Sequence, residues 1–163
     1  MDWQWLFFSF DGRINRAKWW LAALVFVVIS IVIWFVVLPL LGISIWSMGA
    51  STGGTLASIV VTLILAYPVT AVMVKRLNDR DRPAWFAAIF WAPTVLSYIG
   101  QLTGLGYSMQ MMAGEEVMMP TGIGWVINIL MLGIVIWGLV ELGCLRGTAG
   151  PNRHGPDPLQ SGS

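Results

Sequence analysis

Three polar clusters hold most of the residues able to do chemistry in this 163-residue chain: Phe10-Asp11-Gly12-Arg13-Ile14-Asn15-Arg16, then Lys75-Arg76-Leu77-Asn78-Asp79-Arg80-Asp81-Arg82-Pro83-Ala84-Trp85, and Gly150-Pro151-Asn152-Arg153-His154-Gly155-Pro156-Asp157-Pro158. Their common chemistry is anion capture. A guanidinium offers a planar fork of N–H donors that matches phosphate or carboxylate. Arg76 and Arg80 are the first choices as contact residues. Arg13, Arg16, Asn78, Asp79, Asn152 and Arg153 complete a candidate lipid- or partner-binding set. A plainer reading competes with this one, in which the cations fix orientation in a membrane and pair with Asp11, Asp79, Asp81 and Asp157.

Glu141 stands apart as an ionisable residue well inside an apolar run, with Asn128 as a second polar group in the same run. Intramembrane carboxylates are costly and are functional candidates by default. Glu141 either serves a proton or ion path or pairs with a basic residue. Met109, Met111, Met112, Met118 and Met119 crowd the segment 103–122 beside Glu115 and Glu116. Thioethers ligate Cu(I). Methionine is also a flexible apolar filler, and a loop resting on the membrane surface is the preferred reading. The sequence holds no P-loop, H-E-x-x-H, G-x-S-x-G or dinucleotide fingerprint. With one His and one Cys, a nucleophile-base pair would have to join Cys144 to His154 across ten residues, and His154 alone makes no metal site. No catalytic residue, metal or cofactor is expected.

The elements that position these clusters follow from composition. Hydrophobic residues make up 57% and charged residues 10%, with a mean hydropathy of +0.76. A soluble domain carries about 25% charged residues, so this chain cannot cover itself in water and belongs in lipid. A hydrocarbon core of about 30 Å takes roughly 20 helical residues. Four stretches qualify, near 19–41, 55–74, 84–102 and 123–145. Pro93 makes the third a kinked or tilted helix. All nine Lys and Arg lie before the first stretch, between the second and third, or after the fourth. The positive-inside rule then puts both termini and a 75–83 loop in the cytoplasm. The formal charge of +1 excludes a global basic field, and with it nucleic acid as a partner.

Tryptophans mark the same boundaries, since indoles favour the head-group level. Trp3, Trp5, Trp19, Trp20 and Trp85 fall at the cytoplasmic ends, and Trp46 and Trp125 at the outer ones. Trp3, Leu6, Phe7 and Phe10 repeat at the spacing of one helix face, which predicts a short interfacial helix. Asp11-Gly12 reads as a turn and Asn15 as the N-cap of the first span. Gly100/Gly104 and Gly143/Gly147 have the G-x-x-x-G spacing of helix contacts, although each pair sits near a helix end.

On the three polar clusters, running from about Phe8 to Pro158, the chain resembles the domain-of-unknown-function 805 family of small bacterial inner-membrane proteins. That family has an F-x-G-R-x-x-R segment before its first span, a K-R-L-H-D segment leading to a Trp after its second, and a G-x-N-x-Y-G-x-D-P-like tail. The resemblance implies an integral membrane protein and no particular activity. Asn78 stands where the family usually has His, Arg82-Pro83 where small residues are common, and His154 where an aromatic residue is common. The missing His weakens any metal or proton-relay role at position 78.

The expected architecture is therefore an all-α integral membrane protein with four transmembrane helices, both termini cytoplasmic and a short N-terminal interfacial helix. Residues 1–158 form a single membrane domain and 159–163 a flexible tail. The expected function is non-enzymatic binding of an anionic lipid or a membrane-protein partner at a basic cytoplasmic face, with a homo-oligomer as one form of that partnership. The alternative is a small oligomeric transporter or channel subunit that uses Glu141.

Overall fold

The computed structural model describes residues 2–43, 52–112 and 115–160. Helix α1 (Trp3–Phe8) is followed by α2 (Arg16–Val32), which continues through a π-helical turn (Ile33–Val37) into a last α turn (Leu38–Leu40). Next come α3 (Thr52–Asp79), α4 (Phe86–Thr103), strands β1 (Tyr107–Met112) and β2 (Glu115–Pro120), and α5 (Gly122–Leu139), which ends in a π-helical turn (Val140–Cys144). Four segments, Arg16–Leu40, Gly53–Asp79, Phe86–Thr103 and Gly122–Cys144, are 25, 27, 18 and 23 residues long. At 1.5 Å per residue each is about 27 Å or longer, enough to span the hydrocarbon core. Only 11–28% of their most apolar windows is buried within the chain, so most of this surface is for lipid.

Local chemistry explains the helix ends. Asn15 caps α2 as expected, its Oδ1 accepting the Lys18 N–H at 2.9 Å. Pro39 has no N–H and its ring crowds the carbonyl four residues back, and the helix accommodates this by widening over Ile33–Val37. The end of α2 closes in a Schellman motif, with Ile43 N–H donating to Leu38 O at 2.9 Å and Gly42 N–H to Pro39 O at 3.0 Å. The end of α3 repeats it, with Arg82 N–H on Leu77 O at 2.9 Å and Asp81 N–H on Asn78 O at 3.1 Å. Asp81 holds the left-handed position at φ 54° that glycine fills at Gly42 (φ 76°).

Three expectations need correction. Residues 75–79 are helical, because Lys, Arg and Leu are good helix formers and the charges mark a membrane edge without ending a helix. Segment 103–122 is no simple loop, and the chain is not all-α. Tyr107–Met112 pairs antiparallel with Glu115–Pro120, Met109 opposite Met118 and Tyr107 opposite Pro120. Apolar Tyr107, Met109 and Met111 alternate there with Ser108 and Gln110, the period of a strand. Phe10 lies outside α1, which ends at Phe8, and packs edge-on against Tyr67 at 5.2 Å. Trp46 and residues 161–163 lie outside the described residues.

The chain gathers into two compact units. The first comprises residues 1–27, 65–90 and 135–163. Its core is Leu6, Ile14, Trp19, Ala22, Val72, Val74, Leu77, Ala87 and Leu142, walled by Trp5, Phe7, Phe26, Phe86 and Phe90. The second comprises residues 28–64 and 91–134. It buries few side chains, Leu38, Thr55, Ser58 and Met131 among them, and holds the hairpin. In this unit Tyr98 Oη donates to Ser58 O at 3.1 Å and lies 2.6 Å from the Thr62 hydroxyl, while Tyr107 Oη donates to Asn128 Oδ1 at 3.2 Å.

Candidate functional site

The C-terminal turn of α3 is where the three polar clusters meet. Asp79, 3% exposed, accepts Arg13 Nε at 3.1 Å and Nη2 at 3.0 Å on Oδ1, and Arg76 Nη1 on Oδ2. One carboxylate thus holds two guanidiniums, one from its own helix and one from the segment before α2. Arg13 also donates to the carbonyls of Thr148 at 2.7 Å, Gly150 at 2.8 Å and Gly155 at 3.2 Å. The Asp79 carbonyl accepts the Thr148 N–H at 2.8 Å and hydroxyl at 3.0 Å. Asn78 donates to Gly12 O at 3.1 Å, and its own carbonyl accepts Asn152 Nδ2 at 2.9 Å. The last carbonyls of a helix have no partners within it, and here Thr148 and Asn152 supply them for Asp79 and Asn78.

A second helix end is closed in the same way. The π-helical turn of α5 leaves the carbonyls of Leu142, Gly143, Cys144 and Leu145 without helical partners. Arg76 Nε takes Leu142 O at 2.6 Å, Trp20 Nε1 takes Gly143 O at 3.1 Å, Arg16 Nη1 takes Cys144 O at 3.0 Å, and Arg76 Nη2 takes Leu145 O. Cations are favoured at the negative end of a helix dipole. Arg76 is fully buried by these bonds, so the first-choice contact residue is the bolt that joins α3 to the end of α5.

Glu141 is buried in that same turn, and its Oε1 accepts Arg80 Nη2 at 3.1 Å and Nε at 3.2 Å, with Arg82 Nε at 3.4 Å. Arg80 also donates to Arg146 O at 2.8 Å. Lys75, buried, donates to the carbonyls of Trp5 and Ser9 and lies over the Trp5 ring, 4.8 Å from its centroid. Arg153 pairs in the open with Asp81 at 2.8 Å. Asp157 accepts the N–H groups of Leu159 at 3.0 Å and Gly150 at 2.9 Å. These two bonds, Leu159's first, hold its carboxyl below the usual carboxylate range.

These pairings divide the candidate residues. Arg13, Arg76, Asn78 and Asp79 are buried and bonded to one another or to backbone. Asn152 is tied to Asn78 and Thr148, and Arg80 to Glu141. Arg153 is exposed and ion-paired, and Asn128 serves Tyr107. Among the described residues, Arg16, Lys18 and Arg146 have neither an ion pair nor full burial. Arg16 and Arg146 line one open cavity of about 260 Å³, with Arg76, Asp79, Thr148 and Asp157 also in its wall. Among the described residues no three His, Cys, Asp or Glu converge as metal ligands would.

Sequence patterning marks Trp20 as a boundary residue, Gly147 as a helix-contact glycine and Arg146 as a topology charge, and assigns none of them, nor Thr148, to the site. Gly147 is a requirement of contact, because a Cβ there would lie 2.0 Å from Asp79 Oδ2. A Cβ on Gly143 would lie 2.8 Å from both Trp19 and Trp20 rings. The G-x-x-x-G spacing thus reflects a carboxylate and two indoles set against backbone. The glycine pair itself was the available signal.

Over 150 residues the chain is 29% identical to the inner membrane protein YhaH of Escherichia coli K12, covering 92% of this chain and 87% of that one. It is 30% identical over 156 residues to the uncharacterized protein YiiR of the same strain, covering 94% and 88%. It is 23% identical over 150 residues to the inner membrane protein YhaI, covering 92% and 86%. No solved structure matches. A family model described as "Protein of unknown function (DUF805)" matches residues 7–156, which include all three polar clusters up to Pro156. The chain is an integral membrane protein, and it belongs to the DUF805 family.

Proposed function

We propose that this protein is a non-enzymatic binding protein of the bacterial inner membrane that engages an anionic lipid or an acidic protein partner through one basic face, with that face and both termini in the cytoplasm. The observation that carries the reading is charge left over after internal pairing. The first unit holds all nine Lys and Arg but only six Asp and Glu, while the acids of the second are Glu115 and Glu116. Asp79 holds both Arg13 and Arg76 and Glu141 holds Arg80 and Arg82, while Arg16, Lys18 and Arg146 have no ion pair among the described residues. Segregation of cations to one side is the orientation signal of inner-membrane proteins. Basic residues at the head-group level attract anionic lipid by about 1 kcal/mol each.

Transport through Glu141 has less support, because two guanidiniums already occupy its carboxylate. The binding reading is tested by native mass spectrometry of the protein released gently from its own membrane. Retained anionic phospholipid or an acidic protein is the expected result. A protein that comes away bare, or with zwitterionic lipid alone, overturns it.

A further inference from the structure

We infer that the cavity between the start of α2 and the segment after α5 is a phosphate site, with Arg16 and Arg146 as its ligand-facing donors and Arg76 as its fixed floor. This deepens the basic-face reading and rests on it. Of the three guanidiniums lining the cavity, Arg76 is fully buried and immobilised by Asp79 and two carbonyls, while Arg16 and Arg146 are exposed. Among the described residues Arg16 spends one Nη on Cys144 O and no other side-chain donor, and Arg146 makes no side-chain bond. Two carboxylates also line the cavity. Asp79 accepts from Arg13 and Arg76, while Asp157 accepts two backbone N–H groups and offsets part of the charge of Arg146.

Counting Arg13 behind Asp79, four guanidiniums face two carboxylates, a local excess of +2. A phosphate group supplies the matching charge and enough acceptor oxygens for two Arg forks. Asn15, Arg16 and Ala17, at the start of α2, form part of the wall. A volume of about 260 Å³ holds a phosphate together with the atoms esterified to it, so the group can belong to a phospholipid head or arrive free.

The test uses the full chain in nanodiscs. Protein from discs of equal phosphatidylglycerol and phosphatidylcholine is examined by native mass spectrometry. Protein in phosphatidylcholine discs is titrated calorimetrically with inorganic phosphate. Wild type is compared with Arg16→Gln/Arg146→Gln, with Arg16→Lys/Arg146→Lys, and with Arg82→Gln as the control. At about 1 kcal/mol per basic residue, the double Gln variant loses roughly tenfold or more in retention or affinity, while Arg82→Gln keeps it. The Lys variant recovers only part, because it restores charge without the fork. Loss confined to phosphatidylglycerol identifies a lipid head group, and loss confined to phosphate heat identifies a free anion. Phosphatidylglycerol and phosphate both held equally by wild type and the double Gln variant overturn this site and leave the basic-face reading standing. Wild type that takes neither probe also overturns the site. The reading itself fails only if protein from its native membrane carries no anionic lipid or acidic protein.

Discussion

The two units of this chain are built from the same kind of apolar helix but held by different forces. In the first, ten or more side-chain donors reach carbonyls or carboxylates far away in sequence, and aromatic rings pack around a defined core. In the second, the polar contacts include the Tyr98 and Tyr107 hydroxyls, the Ser97 hydroxyl on Met131 Sδ, local bonds within turns, and a hairpin ladder. Lipid supports a helix that needs nothing but apolar length. A buried carboxylate with two guanidiniums needs every partner in place, because any one left unpaired is costly.

That contrast can be broken by substitution. Asp79→Asn leaves Arg13 and Arg76 facing a neutral amide, and removing one partner of a buried ion pair costs about 3–5 kcal/mol. Thermal unfolding in detergent should show a destabilised or unfoldable variant. Gly147→Ala forces a methyl into the Asp79 carboxylate, with an expected cost of about 1–3 kcal/mol by the same assay. In the second unit, Tyr98→Phe removes a hydroxyl shared by Thr62 and Ser58 O, and the expected loss is about 1 kcal/mol. A Tyr98→Phe loss as large as that of Asp79→Asn would erase the distinction.

Acid sharpens the comparison with the smallest effect. The Asp157 carboxyl is held below its ordinary range, so its contribution is complete above an ordinary Asp pKa of about 3.9 and is lost as pH falls through the lower, folded value. Amide exchange at Gly150 and Leu159, corrected for intrinsic rate, should accelerate below about pH 4. The second unit should be unaffected. In Asp157→Asn the two amides should exchange fast at either pH.

The parts of this architecture written in local chemistry were legible in sequence. Four apolar runs gave four spans, Asn15 gave its cap, and the three clusters gave the place where polar groups converge. The division of labour among the arginines was not legible. Arg76 and Arg80 look like the forks most available to a ligand, yet Arg76 faces the unpaired carbonyls at the end of α5. Backbone acceptors carry no residue-type signal. The role of Gly147 likewise depends on a carboxylate 68 positions away that no spacing rule connects to it. The hairpin was hidden because methionine reads equally well as filler and as strand, and only its alternation with Ser108 and Gln110 betrays it.

The central claim is that buried arginines hold this protein together while exposed ones serve its ligand. Parallel thermal unfolding of Arg76→Gln and of Arg16→Gln/Arg146→Gln, without added ligand, tests it most directly. Arg76→Gln should be destabilised by about 3 kcal/mol or more, since it removes the buried cation on Asp79 Oδ2 and the donor of two helix-end carbonyls. The double variant should unfold within about 1 kcal/mol of wild type, because its side chains make one described bond between them. A stable Arg76→Gln beside a collapsed Arg16→Gln/Arg146→Gln would contradict the account.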